Sequence, residues 1–293
     1  MKPWLQGARP RTLPAAVVPV LVGTACAVGE RADGLVWWRA VAAMVVALAL
    51  QIATNFANDY SDGKRGTDDP GKRVGPVRLV GWGIKPAAAV KRAAMLSFAV
   101  AGLAGLALAA AVGPELVVVG ALSMAAGWFY TGGPNLYGYL GLGEVFVFTF
   151  FGVVATAGSS YVQLEGFQGL ALGASVPVGF LATALLVINN LRDIPGDTVS
   201  GKRTLAVRLG DKRTRLLYVG LLIGAFLAVP LVGGLGGRPA AALAFAAIFL
   251  GQKPVLRVLQ GASGADLIPV LAATGKLQLA FGALFAVGLA LGG

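Results

Sequence analysis

The sequence contains no histidine and only one cysteine among its 293 residues. Without histidine, the chain cannot form a His general base, a His-ligated haem or a His-based zinc site. The lone cysteine, Cys26, excludes both an intrachain disulfide and a thiolate metal cluster. Any chemistry must therefore use carboxylates, Lys and Arg, Tyr, amides and a hard metal ion.

Charged residues are also scarce, at 13% of the chain, whereas a soluble domain usually carries about 25%. Apolar residues recur in runs of roughly 17–22, the helical length that crosses the ~30 Å hydrocarbon core of a bilayer. We therefore predict an all-α, multi-pass membrane bundle that forms a single domain over residues 1–293. Its nine predicted transmembrane helices span residues 13–29, 37–57, 91–112, 115–131, 144–162, 169–190, 215–233, 239–256 and 270–291.

Basic residues predict how this bundle is oriented, because cytoplasmic loops of membrane proteins carry an excess of Lys and Arg. With the N-terminus in the cytoplasm, all but three of the 24 Lys and Arg residues fall on the cytoplasmic side. The exceptions are Arg31, Arg39 and Arg238. The formal charge of +11 therefore reflects short loops between helices, and it does not predict a nucleic-acid-binding surface.

Two of the basic loops also hold acidic residues, which the orientation of the bundle does not require. The first loop reads NFANDYSDGKRGTDD over residues 55–69. If the preceding helix continues, Asn55, Asp59 and Asp62 share one face at spacings i, i+4 and i+7. Gly63 and Gly66 are then predicted to end the helix and to let the backbone approach a ligand.

The second acidic loop reads NNLRDIPGDTVSGKRT over residues 189–204. Asn189 precedes Asp193 by four residues, which repeats the relation between Asn and Asp in the first loop. Pro195 disfavours helix at the residue before it. We therefore predict that Asp197 lies on a turn and not on the helical face that carries Asp193.

The two loops resemble diverged copies of one motif, with Asn four residues before Asp, a second Asp, and then Gly-Lys-Arg. Internal repeats in membrane proteins often frame a binding site between their halves. The competing interpretation is that these are solvated loop charges, with Asn and Asp at helix ends. Ionisable side chains within the membrane are costly and usually functional, which favours a site.

Carboxylates interleaved with Lys and Arg are typical of a metal–diphosphate site. Mg²⁺ binds a few carboxylates together with substrate phosphate oxygens, and Lys and Arg neutralise the remaining phosphate charge. An apolar bundle behind such a site predicts a polyprenyl diphosphate as the substrate. The carboxylates that we expect to act there are Asp59, Asp62, Asp193 and Asp197.

The two motifs, placed after the second and sixth of nine predicted helices, resemble those of the UbiA superfamily of intramembrane aromatic prenyltransferases. Within it, the chain is most similar to the branch that prenylates 1,4-dihydroxy-2-naphthoate in menaquinone biosynthesis. Besides the motifs, five stretches between residues 7 and 205 carry the resemblance: GARPRTLP (7–14), GPVRL (75–79), YTGGP (130–134), GYLGLGEVFVFTFFG (138–152) and GKRTL (201–205).

The resemblance implies which residues bind Mg²⁺ and substrate. The commoner superfamily pattern has a third acid where Gly66 stands here, and Asp68 follows two residues later, as in the naphthoate branch. Hydroxybenzoate relatives carry Lys four residues after the Tyr that matches Tyr130, a position held here by Pro134. The implied metal ligands are Asp59, Asp62, Asp68, Asp193 and Asp197; the implied substrate-binding residues are Arg11, Asn55, Asn58, Lys64, Arg73, Arg78, Tyr130, Asn189, Arg192 and Lys202.

The implied reaction begins when Mg²⁺ and the basic side chains stabilise the departing diphosphate. Aromatic faces can shelter the allylic cation that is left, or can equally be core and interface residues. The naphthoate then attacks at its carboxyl-bearing carbon and loses CO₂, so no histidine is needed to remove a ring proton. Arg11 or Arg78 is a candidate for the acceptor carboxylate, with lipid phosphate as the competing ligand. The candidate aromatic residues are Tyr130, Tyr137, Tyr139 and Phe146.

Two other functions remain open from the sequence. One is a UbiA-type prenyltransferase with another acceptor, such as 4-hydroxybenzoate, homogentisate or haem. The other is a transporter of an anionic substrate, although its charges would be expected mid-membrane and not at helix ends on one face. For the enzyme, the resemblance implies a place in the cell membrane (inner or plasma), and the distribution of Lys and Arg predicts that the active-site loops face the cytoplasm.

Overall fold

The computed structural model describes residues 2–67, 75, 77–133 and 136–292. These residues form eleven α-helices and no β-strand, which confirms the all-α prediction for the described chain. The helices are α1 (Lys2–Ala8), α2 (Pro14–Cys26), α3 (Trp37–Lys64), α4 (Ala87–Ala111), α5 (Glu115–Phe129), α6 (Gly143–Val147), α7 (Ala155–Leu164), α8 (Gly169–Val199), α9 (Leu205–Leu235), α10 (Ile248–Leu259) and α11 (Leu267–Leu291).

Seven segments of the described chain are long and apolar enough to cross a membrane, and they coincide with seven of the nine predicted helices. The other two predicted helices correspond to α2 and α5, which have 13 and 15 residues. Both are shorter than the ~20 residues that a full crossing needs. The chain is thus a multi-pass membrane protein. The seven segments are Trp37–Lys64, Ala87–Ala111, Gly143–Leu164, Gly169–Val199, Leu205–Leu235, Pro239–Leu259 and Gly264–Leu291.

The predicted turn at Pro195 is wrong, because α8 continues through this residue to Val199. Proline removes one backbone donor from a helix, here the partner of the Leu191 carbonyl, and Pro195 itself lies only about one turn from the helix end. Membrane helices tolerate such a proline when neighbouring groups satisfy the carbonyl. Asp193 and Asp197 are consequently four residues apart on one helical face.

The core of the bundle is built around α8, the most buried of the long apolar helices. α8 packs against α9, α2 and α11, and buried residues of these helices, such as Ile188, Tyr218 and Phe281, form one cluster. A second cluster joins α3 to α4 through Phe56 and Phe98.

Glycines allow some of these helices to approach closely, which compensates for the small hydrophobic drive between helices in lipid. A Cβ added to Gly152 would lie 2.6 Å from the Cα of Gly179 on α8, and one added to Gly23 on α2 would collide with the carbonyl oxygen of Thr156. At Gly220 the same addition would meet no atom within 4 Å. Glycine is therefore required at particular helix crossings and not throughout the bundle.

The three arginines predicted on the outer side bind carbonyl groups where helices end. Such carbonyls lack partners within the helix and carry the negative end of its dipole. Arg39 also pairs with Glu165 at 2.7 Å, and Arg238 with Glu30 at 2.8 Å. The donated bonds run from Arg31 to Gln163 O, from Arg39 to Val162 O and Ala111 O, and from Arg238 to Leu289 O and Val28 O.

The close α2–α7 crossing generates a stability prediction. Gly23→Ala places a methyl group where the Thr156 carbonyl lies, and overpacking of this kind typically costs roughly 1–3 kcal/mol. We expect the midpoint of thermal unfolding in detergent to fall by several degrees. Gly220→Ala, which meets open space, is the control and is expected to leave the midpoint unchanged. Equal midpoints for the two variants would contradict the crossing.

Candidate active site

Two cavities adjoin each other at the end of the bundle where α3 and α8 finish. One is polar, with a volume of about 160 Å³, and the other is largely apolar, with a volume of about 690 Å³. The apolar cavity extends along α3 from Asn58 to Ala43, which corresponds to ~22 Å at 1.5 Å per residue. Five residues line both cavities and mark their junction: Arg9, Asn58, Arg78, Tyr130 and Asn189.

Asp62 lines the polar cavity and connects the two sequence motifs. Its Oδ1 accepts a hydrogen bond from the Tyr139 hydroxyl at 2.9 Å, and its Oδ2 pairs with the Lys202 ammonium at 2.9 Å. The same ammonium lies 4.8 Å from the centre of the Tyr139 ring. Lys202 follows α8 and Asp62 belongs to α3, so this pair holds the ends of the two helices together.

The environment of this pair keeps Lys202 charged. Burial by itself would lower the pKa of Lys202, but Asp62, together with Tyr139 and Asp197, raises the pKa well above its usual value. Burial and the charge of Asp62 raise the pKa of Tyr139. At neutral pH the cavity therefore contains a protonated amine, which has donors beyond the one that it directs to Asp62, and a neutral phenol whose single proton is donated to Asp62.

The end of α8 supplies the second acidic group of the polar cavity, as the sequence predicts. Arg192 forms a two-bond pair with Asp193, with both N···O distances at 2.7 Å, and donates to Asn189 Oδ1 at 2.9 Å. Its side chain is only 1% exposed. Asp197 lines the same cavity one turn further on. The structure thus brings Asp62, Asp193 and Asp197 to one cavity.

Asp59 occupies a different position from the one that the sequence predicts. It is fully buried, and its two carboxylate oxygens accept hydrogen bonds from the backbone amides of Leu79 and Val80, both at 2.9 Å. Asp59 is not among the described residues that line the two cavities. Its geometry therefore does not support the prediction that it binds metal.

The predicted amides organise the walls of the site. Asn55 donates to Ala8 O at 2.9 Å and to Thr12 Oγ1 at 3.2 Å, which ties α3 to the N-terminal segment. Asn58 accepts from Thr131 Oγ1 at 2.7 Å and so joins α3 to the segment after α5. Both asparagines line the apolar cavity, and Asn58 lines the polar cavity as well.

The other predicted residues are distributed unevenly. Arg78 is buried at the junction of the cavities, whereas Arg11 is exposed and lines the apolar cavity. Lys64 is exposed at the end of α3, with its ammonium 5.8 Å from the centre of the Tyr60 ring. Asp68 and Arg73 lie outside the described residues.

Sequence reasoning did not single out Arg9, which lines both cavities. Its guanidinium donates to the carbonyl oxygen of Asn55 at 3.4 Å. Its backbone is left-handed, with φ 52°, which is uncommon for a residue other than glycine. Strain of this kind clusters at functional sites. No pattern in the sequence distinguishes Arg9 from Arg11, because only the backbone conformation turns one of them towards the junction.

Aromatic rings line the apolar cavity next to the junction. Tyr137 stacks on Phe146 with ring centres 3.8 Å apart, and Tyr130 meets Tyr137 edge to face at 5.4 Å. The Tyr137 hydroxyl donates to Ala126 O at 2.7 Å, which leaves its ring facing the cavity. Tyr139, the fourth predicted aromatic residue, lines the polar cavity instead.

The donor set of the polar cavity fits a hard cation in its chemistry. Its acids are carboxylates, and carboxylate oxygens are the ligands that Mg²⁺ prefers. Within the residues that the structure describes, no three acidic, His or Cys side chains are close enough to form a metal cluster by themselves. A divalent ion there would take its other ligands from substrate phosphates and water, the usual arrangement for Mg²⁺. Together, the two cavities suit an amphiphile with an anionic head and an apolar tail.

Comparison with known families identifies this architecture. The model of the UbiA prenyltransferase family matches residues 16–266, most of the chain. The chain belongs to this family. The resemblance noted from the motifs is therefore confirmed, and the site described above is that of a UbiA-family protein.

Curated relatives are similar over nearly the same length. The chain is 48% identical to 1,4-dihydroxy-2-naphthoate octaprenyltransferase of Mycobacterium tuberculosis (strain ATCC 25618 / H37Rv), with 99% of this chain and 97% of the relative covered. It is 39% identical to the enzyme of the same name from Escherichia coli (strain K12), with 78% and 75% covered.

Solved structures share the fold at much lower sequence identity. A structure of digeranylgeranylglyceryl phosphate synthase gives a TM-score of 0.65 at 13% identity, with 99% of this chain and 98% of that chain covered. A UbiA homolog from Archaeoglobus fulgidus bound to DMAPP and Mg²⁺ gives 0.62 at 14% identity, with 97% and 99% covered. At these identities the likeness shows the fold alone.

The Asp62–Lys202 pair predicts a stability difference between neighbouring basic residues. Lys202→Met leaves a buried carboxylate without its cation, a change that typically costs roughly 3–5 kcal/mol. We expect the thermal midpoint in detergent to fall by roughly 5 °C or more, given that a protein of this size loses about 2–4 °C per kcal/mol. Arg203→Met, at the exposed adjacent position, is the control. If the two variants have the same thermal midpoint, the Asp62–Lys202 pair does not hold the helix ends together.

Proposed function

We propose that the protein transfers a polyprenyl chain from a polyprenyl diphosphate to 1,4-dihydroxy-2-naphthoate, with loss of the carboxyl group as CO₂, to give demethylmenaquinol, the hydroquinone that a separate oxidation converts to demethylmenaquinone. The observation that carries this proposal is the junction of the polar, basic cavity with the long apolar cavity. In an allylic diphosphate, the reacting carbon joins the anionic head to the apolar tail. With the head in the polar cavity and the tail in the apolar cavity, this carbon lies at the junction. The 48% identity to a naphthoate octaprenyltransferase supports the choice of acceptor.

Asp62, Asp193 and Asp197 are the residues that would hold Mg²⁺ in the polar cavity. When bound, the ion supplies Lewis-acid stabilisation to the diphosphate oxygens. Lys202, whose ammonium has three donors and directs one of them to Asp62, donates to the diphosphate, while the Tyr139 hydroxyl holds the Asp62 carboxylate in place. Arg9 and Arg78 add positive charge at the junction. Such fixed charges favour the state in which negative charge accumulates on the leaving group.

The aromatic residues protect the reacting carbon while the bonds change. The bond between the allylic carbon and the diphosphate oxygen breaks, and its electron pair leaves with diphosphate. The rings of Tyr130, Tyr137 and Phe146 face the positive charge that develops and exclude water from it. The carboxyl-bearing ring carbon then forms the new C–C bond. The carboxylate bond breaks, its electron pair returns to the ring, and CO₂ departs, so no side chain has to remove a ring proton.

The arrangement in the membrane follows from the charges at the two ends of the bundle. We propose nine crossings, with α2 and α5 included as short ones, and a cytoplasmic N-terminus. The polar cavity then faces the cytoplasm of the cell membrane (inner or plasma), where the soluble acceptor is available. Residues 1–293 act as one domain, because both motifs contribute to one cavity.

An assay with naphthoate that carries an isotopic label in its carboxyl group tests this proposal. Purified protein in detergent, with Mg²⁺ and an all-trans polyprenyl diphosphate, is expected to release one labelled CO₂ for each prenylated naphthoate formed. Asp62→Asn is expected to lower both products together by at least about 100-fold, because it removes a carboxylate that would hold the ion stabilising the leaving group. A transporter of anions would form neither product under any condition.

The same assay distinguishes the alternative acceptors. Presentation of 4-hydroxybenzoate, homogentisate and haem in place of the naphthoate is expected to give no prenylated product. Prenylation of one of them, with none of the naphthoate, would overturn the choice of acceptor but not the assignment as a prenyltransferase.

The length of the apolar cavity generates a prediction about the donor. Gly158 on α7 lines this cavity far from the junction, and a Cβ added there meets no atom within 4 Å. Gly158→Phe would fill that region, so we expect an at least tenfold loss of activity with octaprenyl diphosphate and little change with geranyl diphosphate. Gly220→Phe, on the exposed surface of α9, is the matched control. Equal losses with both donors would place the tail elsewhere.

A further inference from the structure

Asp59 binds a tight turn and not a substrate cavity. Residues 78–85 fold back on themselves through bonds from Trp82 N to Arg78 O, from Gly83 N to Val80 O and from Lys85 N to Leu79 O. The first amides of such a turn have no carbonyl partner within it, as at the start of a helix. Asp59 supplies that partner, because its two oxygens accept from the amides of Leu79 and Val80.

Two glycines let this turn lie directly on the helices. A Cβ on Gly63 of α3 would lie 2.6 Å from the Cβ of Val80, and one on Gly7 of α1 would lie 2.7 Å from Leu79 Cδ1. Leu79 is fully buried in the cluster that joins α3 and α4. The predicted helix end is confirmed, because α3 ends at Lys64, directly after Gly63, and Gly66 has a left-handed backbone with φ 72°. The space at Gly63 is filled by the turn and not by a cavity.

This turn positions Arg78 at the junction of the two cavities. Arg78 immediately precedes the two amides held by Asp59, it is 6% exposed, and it lines both cavities at their junction. A guanidinium binds phosphate and carboxylate groups equally well with its planar fork of donors. The direction in which the Arg78 side chain leaves the backbone depends on the conformation of residues 78–80, because this conformation fixes the position of the Arg78 Cα.

We infer that Asp59 is a positioning residue: it fixes the turn at residues 79–80 so that Arg78 presents its guanidinium to an anionic group of a bound substrate at the junction. That group is the diphosphate of the donor or the carboxylate of the acceptor. The inference rests on the proposed function. It separates Asp59 from the metal-binding role that its place in the motif suggests.

The test uses the full-length protein in detergent and compares Asp59→Asn with Arg78→Gln. An amide side chain retains one acceptor oxygen but turns an NH₂ group towards the second backbone amide, so the turn loses a bond and gains a repulsion. We expect Asp59→Asn to raise the KM of one substrate about tenfold and Arg78→Gln to raise the KM of that same substrate. Whether this is the donor or the naphthoate decides which anion Arg78 binds.

The double variant and the metal dependence give the readouts that general structural damage would not produce. Asp59→Asn combined with Arg78→Gln is expected to raise that KM no further than Arg78→Gln alone, since both changes remove one interaction. The Mg²⁺ concentration for half-maximal activity is expected to stay within about twofold of the wild-type value in Asp59→Asn. Asp62→Asn, by contrast, is expected to raise that concentration severalfold.

A second variant disturbs the same turn from another position, in case Asp59→Asn does not fold. Gly63→Ala displaces Val80 without altering any carboxylate, and it should reproduce the increase in the same KM, whereas Gly220→Ala should not. The inference is overturned if Asp59→Asn raises the Mg²⁺ requirement as Asp62→Asn does and leaves both KM values unchanged. It is also overturned if Gly63→Ala has no effect on KM. Absence of naphthoate prenylation by the wild type would instead refute the proposed function.

Discussion

The ion pair between Asp62 and Lys202 is the interaction on which the arrangement of this site depends. The two residues are 140 positions apart in the chain, and their contact at 2.9 Å brings the end of α3 to the segment after α8. Taking two charges out of water is costly, and a buried pair is maintained only when further hydrogen bonds compensate it. The Tyr139 hydroxyl provides such a bond and recruits the segment after α5. Three separate parts of the chain thus converge on one carboxylate, and the polar cavity exists because they do.

Physical regularities of the sequence were sufficient to predict the membrane bundle, the two motifs and the end of the bundle at which they meet. Long apolar runs without charge admit few other structures, and charges are excluded from hydrocarbon whatever the detailed packing. The position of Arg9 was not predictable in the same way. It depends on a left-handed backbone at one residue, which follows from how the segment before α2 docks on Asn55. No periodicity encodes that docking.

Gly63 and Pro195 show where a local rule holds in this chain and where it fails. In water, each would be expected to end a helix. α3 does end at Lys64, one residue after Gly63, whereas α8 continues past Pro195 to Val199. Gly63 gives space to the turn that packs on it, and Pro195 leaves Asp197 on the face that carries Asp193. Tertiary contacts therefore override the local rule at the proline and not at the glycine.

The two motifs diverge in what their first carboxylate does, and this divergence explains how a repeat becomes an asymmetric site. Asp59 and Asp193 each follow an asparagine by four residues, yet Asp59 accepts two backbone amides while Asp193 pairs with the guanidinium of Arg192. In both cases the first carboxylate is engaged by the protein framework. Asp193 nevertheless lines the polar cavity together with the second carboxylates, Asp62 and Asp197, which both raise the pKa of Lys202. A symmetric pair of motifs would place equal negative charge on both sides of a diphosphate. Commitment of Asp59 to the backbone instead removes one carboxylate from the first side, and the turn that it holds brings Arg78 there. The first motif thus brings one carboxylate, Asp62, to the polar cavity and the second motif brings two, while the turn adds the guanidinium of Arg78 at the junction.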